Sequence, residues 1–384
     1  MSACTACGAA LDGGAAFCEA CGARQGAAVA GGPGAAVTPP VSEEAAPFDS
    51  VRVSAAAEIV ADSGRRPCVE CGGAVDDDAY CQLCGAKQPS ERDHYRQEPA
   101  GEGGWVAGVC DRGIVHHRNE DAMALLGSPT SGERAVLVVL DGVSSAEDSH
   151  LASEAGARAA CEALRAPFPQ GMGTAESRHA AATALLAQAV RAANDAIDAT
   201  TPEESANPAS ATFAVAVVEG ERLVVANIGD SRVYWLPDGA DGVQLTVDDS
   251  VAQMQMAAGA TREAAESGPQ AHAITRWLGR DAPDLAPRVA EATVSVPGWV
   301  LACSDGLWNY ASDPQALRAQ VDAAAVPTPD PMAIALGLLA FAKGCGGRDN
   351  ITVALARVER AEAPSGRAPT PPGQNALIDP TEET

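Results

Sequence analysis

For residues 105–358 the sequence predicts a layered α+β domain of antiparallel sheet and helices, preceded by two small cysteine-rich units. Three observations predict it. Apolar runs of strand length recur through this region, several separated by only two or three residues, and gaps that short allow only antiparallel neighbours. Ala- and Leu-rich blocks with helical spacing interrupt the strands rather than alternate with each one. Eight of the 12 cysteines fall in two closely spaced sets upstream of residue 90.

The first set, "CTACGAALDGGAAFCEACGA", contains Cys4, Cys7, Cys18 and Cys21, and the second, "CVECGGAVDDDAYCQLCGA", contains Cys68, Cys71, Cys81 and Cys84. In each, two Cys-x-x-Cys pairs flank a spacer of nine or ten residues. A two-residue gap lets both thiolates of a pair reach one ion, and two pairs complete the closed sulfur tetrahedron of a structural zinc site. A disulfide framework would need an oxidising compartment, and no secretory pattern marks the N-terminus. The predicted units are zinc ribbons at 1–25 and 67–88, each binding one structural Zn2+ through its four cysteines and each too small to fold without metal. Residues 26–66, rich in Ala, Gly and Pro, read as a flexible linker, 89–104 as a second linker, and 359–384 as a disordered acidic, Pro-rich tail.

Within 105–358 the runs "WVAGVC", "AVLVVL", "ATFAVAVV", "RLVVANI", "RVYWL", "WVLAC" and "ITVALARV" are the expected strands. The third, fourth and fifth are joined by Glu219-Gly220 and Gly229-Asp230-Ser231, so successive hairpins are expected there. Helices are expected at about 149–165, 176–199, 314–324 and 331–343. The net charge of −25 disfavours a nucleic-acid partner, whose phosphates need Lys and Arg. The N-terminal 100 residues carry 14 acidic and 7 basic side chains, which argues against ribbons that grip nucleic acid. No apolar run approaches the roughly 20 residues of a membrane span, so a soluble, cytoplasmic protein is expected.

Four apolar strands carry a carboxylate at one end: Asp141 after "AVLVVL", Asp305 after "WVLAC", Asp349 before "ITVALARV", and Glu120-Asp121 before "AMALL". Singly, each reads as a turn residue. Gathered at one sheet edge, their oxygens suit hard divalent cations such as Mg2+ or Mn2+. One carboxylate can bridge two ions, and Gly142 leaves its carbonyl open to one of them. Two such ions activate water and stabilise in-line displacement at phosphorus.

These residues lie in stretches that resemble the metal-dependent type 2C protein serine/threonine phosphatases, the PPM family: "CDRGIVHHRNEDA" (110–122), "VVLDGV" (138–143), "ANIGDSRVYWL" (226–236), "LTVDDS" (245–250), "AITRWLG" (273–279), "CSDGLW" (303–308) and "GGRDNITV" (346–353). Seven such motifs in family order cover nearly all of 105–358; the cysteine units lie outside the resemblance. It implies a sandwich of two antiparallel sheets flanked by helices, with two Mn2+ or Mg2+ at one edge. By position, Asp141 would bridge the ions, Gly142 and Glu120 would hold one, Asp305 and Asp349 the other, and Asp121 would orient that shell. The implied reaction is one-step hydrolysis of phosphoserine or phosphothreonine in proteins by metal-activated hydroxide, opposing bacterial Ser/Thr kinases.

The chain departs from the family in three places. His116 stands where the family places a phosphate-gripping Arg; Arg118, on the same face of an extended segment, is either its substitute or a solvated side chain. Val143 replaces a His that acts as an acid in some members, leaving His117 and His150 as candidates. Asn207 stands nearest to a third-metal Asp. Asp230, Ser231, Arg232, His272, Trp277 and Trp308 read as scaffold. The alternative reading is a pseudophosphatase that binds phosphoproteins without turnover, and a third is a zinc-ribbon nucleic-acid binder.

Overall fold

The computed structural model describes residues 67–359, excepting 70, 77–78, 87, 100–103, 147, 269 and 327–328, together with 2–3 and 10–11. The expected 1–25 ribbon with its cysteines, the 26–66 linker and the tail beyond 359 therefore lie outside the described residues. The chain divides into two units, Met1–Pro67 and Cys68–Thr384. In the first, Ser2–Ala3 pairs antiparallel with Ala10–Leu11.

The second unit contains ten strands of four residues or more: β1 (His94–Gln97), β2 (Val106–Asp111), β3 (Ala122–Gly127), β4 (Arg134–Leu140), β5 (Phe213–Glu219), β6 (Arg222–Ile228), β7 (Arg232–Pro237), β8 (Arg288–Thr293), β9 (Gly298–Cys303) and β10 (Ile351–Val358). One sheet runs β8-β6-β5-β4-β3; the other runs β7-β9-β10-β2-β1, with Val243–Gln244 beside β7. All pairings are antiparallel. Helices α1 (Ser149–Ala163) and α2 (Ala175–Asp198) cover the first sheet; α6 (Pro314–Ala324) and α7 (Pro331–Gly344) cover the second. The shorter α3 (Val251–Ala257), α4 (Arg262–Glu266) and α5 (Asp305–Trp308) lie between them in sequence.

The four layers follow from strands that are apolar on both faces. In β4, Val136, Val138 and Leu140 face the α1–α2 layer while Ala135, Leu137 and Val139 face the opposite sheet. In β10, Ile351, Val353 and Leu355 face α6 and α7, while Ala354, Ala356 and Val358 fill the inter-sheet core. The period of two sends alternate side chains into two different cores. The helices start at side-chain caps: Thr174 accepts from Ser177 N, Asp313 from Gln315 N and Asp330 from Ala333 N.

Two expectations need correction. The β6–β7 connection is not a hairpin: β6 pairs with β5 and β8, whereas β7 pairs with β9 in the other sheet. Gly229 makes the crossing possible, because it holds a φ of +93° and a Cβ there would lie 2.8 Å from Thr212 Cβ. Its carbonyl receives hydrogen bonds from Asn227 Nδ2 and Asp249 N. The second correction concerns 89–104. Residues 91–93 form a 3-10 turn, and β1 is the outer strand of the six-stranded sheet, paired with β2. His-Tyr-Arg-Gln offers no apolar run to read; Tyr95 packs against the inter-sheet core, and hydrogen bonds hold the rest of the strand.

Among the described residues no helix is long and apolar enough to cross a membrane.

Candidate active site

The acidic residues singled out from the sequence come from separate elements and meet at one end of the sandwich. Asp141 directly follows β4, Asp305 opens α5 just after β9, Asp349 precedes β10, and Glu120-Asp121 precede β3. The strand ends are cross-tied. Thr212 Oγ1 accepts from Asp141 N, Thr212 N donates to Asp141 O, and Ser231 Oγ lies 2.7 Å from Thr212 Oγ1. Glu120 N donates to Asn350 Oδ1 at 2.7 Å, which ties the β3 entrance to the β10 entrance. Gly142 N donates to Glu120 O, and a Cβ on Gly142 would stand 2.6 Å from that oxygen. Only glycine allows the Asp141 turn to approach the Glu120 backbone this closely.

Asp121 is fully buried, and its Oδ2 accepts from Ser304 Oγ at 2.6 Å and Thr352 Oγ1 at 2.7 Å. Ser144 Oγ donates to Glu120 Oε2 at 3.3 Å, and Asn309 Nδ2 donates to Asp305 Oδ2 at 3.0 Å. Two carboxylate oxygens, Asp121 Oδ1 and Asp305 Oδ1, are buried with no hydrogen-bond partner. Such an oxygen costs free energy unless a cation or water satisfies it.

The electrostatics are those of buried acids crowded together. Removal from water, then the charges of Asp121, Asp305, Asp349 and Asp230, push the Asp141 carboxyl well above the usual range. Burial, then Asp230, Asp349 and Asp121, do the same to Asp305. Burial raises Asp121 to about 6 against the opposing hydrogen bonds from Ser304 and Thr352. Glu120 is raised by burial, and Arg118 and His116 oppose the rise. A set of hard oxygens held ionised only at a cost, two of them orphaned, fits divalent cations.

His116 lies between two of these acids, with Nε2 3.4 Å from Asp349 Oδ1 and Nδ1 3.8 Å from Glu120 Oε2. Arg118 Nε is 3.6 Å from Glu120 Oε1, and its Nη1 is 3.5 Å from His150 Nδ1. His117 is exposed, and Asn207 donates to Ser145 O.

Sequence reasoning missed Asp230 as a member of the acidic set. It read as a turn residue, yet it is 4% exposed, and burial and Asp248 raise it to about 7, with Arg232 opposing. Its carbonyl accepts from Trp308 Nε1. Behind it, Arg232 is buried, stacks 3.5 Å from the Trp308 ring centroid and forks onto Asp248. Trp308 lines a cleft of about 360 Å3 that opens beside Asp349 and is lined also by His272, Tyr310 and Arg348. Asn350 and Ser304 were likewise missed, although both adjoin residues that were chosen.

Residues 115–331, more than half of the chain, match the model of the family described as protein phosphatase 2C. The chain belongs to the protein phosphatase 2C family. This family member is 34% identical over 254 residues to the serine/threonine protein phosphatase PstP of Mycobacterium tuberculosis, a match covering 66% of this chain and 44% of that protein. The chain thus spans less than half the length of that relative. It also resembles the crystal structure of the Mycobacterium tuberculosis phosphatase PstP/Ppp, at 30% identity and a TM-score of 0.53 over 66% of this chain and 98% of that one. A structure of the PstP catalytic domain in complex with two manganese ions aligns at 26% identity and a TM-score of 0.52, covering 69% of this chain and all of that one.

The second cysteine set lies in the described residues and forms a separate cluster. The sulfurs of Cys68, Cys71, Cys81 and Cys84 all lie within 4.8 Å of one another. Cys68 and Cys84 are 3.7 Å apart, Cys71 and Cys81 3.4 Å. Sulfurs bound about 2.3 Å from a tetrahedral ion stand about 3.8 Å apart, so the spacing fits zinc. Leu83 N and Cys84 N both donate to Cys81 Sγ, as amides do to a thiolate.

Proposed function

We propose that the chain hydrolyses phosphoserine and phosphothreonine in proteins, with substrates that include those of bacterial Ser/Thr kinases. The observation that carries this is the convergence of Asp141, Asp305, Asp349, Glu120 and Asp121 at one end of a protein phosphatase 2C sandwich, with two buried oxygens left unpartnered. Asp141, with the Gly142 carbonyl, Glu120, Asp305 and Asp349, would hold two Mn2+ or Mg2+. When bound, the cations supply positive charge for the phosphoryl oxygens and an activated water. Asp121, fixed by Ser304 and Thr352, orients that set from beneath.

On the same reading His116 and Arg118 face the phosphate, since both stand over Glu120 at the mouth of the site. The cleft beside Asp349 receives the substrate chain. Residues 67–88 are a zinc ribbon, and 1–25 repeat its cysteine spacing. A reducing, cytoplasmic setting, in which the cysteines stay available to zinc, completes the reading.

The decisive experiment is hydrolysis of a phosphothreonine peptide with manganese and then with chelator. Asp141→Asn removes one charge and a strong ligand oxygen, and should reduce turnover by at least about a hundredfold while the melting profile persists. Activity that survives chelation, or an Asp141→Asn variant near full turnover at saturating manganese, would refute the reading.

A further inference from the structure

The segment between the cysteine cluster and β2 is tied at one end to the cysteines and at the other to the acidic centre. At the cysteine end is Gln88. Its Nε2 donates to Cys68 Sγ at 3.2 Å, its Oε1 accepts from Val69 N at 2.8 Å, and its own N donates to Ala79 O at 2.7 Å. Two residues on, Ser90 and Asp93 close a reciprocal capping box around the 3-10 turn. That turn presents Arg92.

Arg92 reaches the backbone on both sides of Glu120. Its Nε donates to Asn119 O at 3.1 Å, and its Nη2 donates to Asp121 O at 2.8 Å and Ser153 Oγ at 3.1 Å. Its Nη1 pairs with Glu154 of α1 at 2.6 Å. The clamp is reciprocal, because Asn119 Nδ2 donates back to Arg92 O at 2.9 Å. Ser153 Oγ in turn donates to Glu120 O. Three consecutive carbonyls, 119 to 121, are thus held directly or through Ser153 by one guanidinium whose side chain is only 15% exposed. A planar fork with five donors in fixed directions can do this; an ammonium cannot.

We propose that Arg92 is a positioning residue for the Glu120–Asp121 pair, and that through Gln88 and the capped turn it transmits zinc ligation at Cys68, Cys71, Cys81 and Cys84 to the acidic centre. With zinc in place the turn is fixed and the two carboxyl groups keep the geometry a divalent cation needs. Without zinc the Gln88 anchor loosens, the clamp is lost more often, and the cation is held less tightly. The inference rests on the reading of this acidic set as a cation site.

The test is a calorimetric manganese titration of the zinc-loaded full chain, with melting curves of every variant. Partners that orient ligands from outside typically contribute about 10–100-fold to metal affinity, so Arg92→Ala should weaken manganese binding on that scale. Arg92→Lys, which keeps the charge but cannot span two carbonyls, should show a smaller loss in the same direction and keeps the test valid if the alanine variant fails to fold. Turnover at saturating manganese should recover, while the manganese concentration needed for half activity rises. Cys84→Ser should also weaken manganese binding, and should add little when Arg92 is already alanine, or lysine in its place.

Unchanged manganese affinity in Arg92→Lys or Arg92→Ala, even with a lowered melting temperature, would reduce Arg92 to a packing role and overturn the proposal. A Cys84→Ser effect that is absent, or fully additive with Arg92, would overturn the transmission route. No manganese binding by the unsubstituted chain would overturn the site reading itself and this inference with it.

Discussion

Four buried acids, Asp121, Asp141, Asp230 and Asp305, predict a pH-dependent stability for the metal-free chain. Burial raises Asp121 to about 6, and burial with Asp248 raises Asp230 to about 7; Asp141 and Asp305 are shifted the same way. An acid whose folded value exceeds its unfolded value of about 3.9 binds more protons folded than unfolded in that interval. Its contribution to stability is complete below the unfolded value and is lost as pH climbs through the folded one. The metal-free melting temperature should therefore fall between pH 5 and pH 7.5. Manganese should raise it more at pH 7.5 than at pH 5, because the cation competes with the protons. A metal-free melting temperature that rises across this window would contradict the crowded-acid picture. In the same site, His116 offers no bidentate guanidinium fork to a phosphate. His116→Arg supplies a permanent cation, and a charge-assisted hydrogen bond is worth roughly 1.5–3 kcal/mol. The Michaelis constant for phosphopeptide should fall about tenfold. If neither His116→Arg nor Arg118→Ala moves it, phosphate is gripped elsewhere.

The elements that were legible in the sequence are those covered on both faces. β4, β5, β6 and β10 read as unbroken apolar runs because each contributes to two cores. Two outer strands, β8 and β1, were not legible, for different reasons. β8, "RVAEAT", is partly solvated and carries charge along its length. β1 has no apolar run, only Tyr95 packing inward, and its side chains do the work of a partner strand. Tyr95 OH accepts from Met123 N at 2.9 Å and Gln97 Oε1 accepts from Leu125 N at 3.1 Å, so β1 satisfies the free edge of β3 across the gap between the two sheets. The carboxylates at strand ends were legible because they interrupt apolar runs. Asp230 was not, because Gly-Asp-Ser between two strands looks like a hairpin, and only the three-dimensional pairing shows a crossing between sheets. Tyr95→Phe keeps the ring and removes the acceptor, leaving a buried amide unpaired. It should lower the unfolding free energy by about 1–3 kcal/mol with an unchanged denaturant slope. No loss of stability would mean that β3 does not depend on this edge.

At the scale of the whole molecule, the cysteine cluster and the phosphatase sandwich lie in one unit, Cys68–Thr384, joined by a segment that is itself part of a sheet. That changes where the chain can be cut. From the sequence, a chain beginning near residue 100 looks like a clean phosphatase domain, since 89–104 reads as a linker. In the structure such a cut removes β1, uncovers β2 and β3 together, and deletes the Arg92 clamp. Three shortened chains separate these effects. The full chain should contain two zinc ions per molecule, a chain from residue 67 one, and a chain from residue 89 none. Both of the last two should stay folded, since β1 is kept. A chain from residue 104 should also lack zinc, and should melt lower than the chain from 89 by more than a surface deletion explains. Elemental analysis under reducing conditions gives the zinc count, and melting curves give the stability order. Equal melting temperatures for the chains from 89 and 104 would show that β1 adds nothing. Zinc absent from the chain beginning at residue 67 would mean that the four sulfurs, though close enough, do not hold the ion.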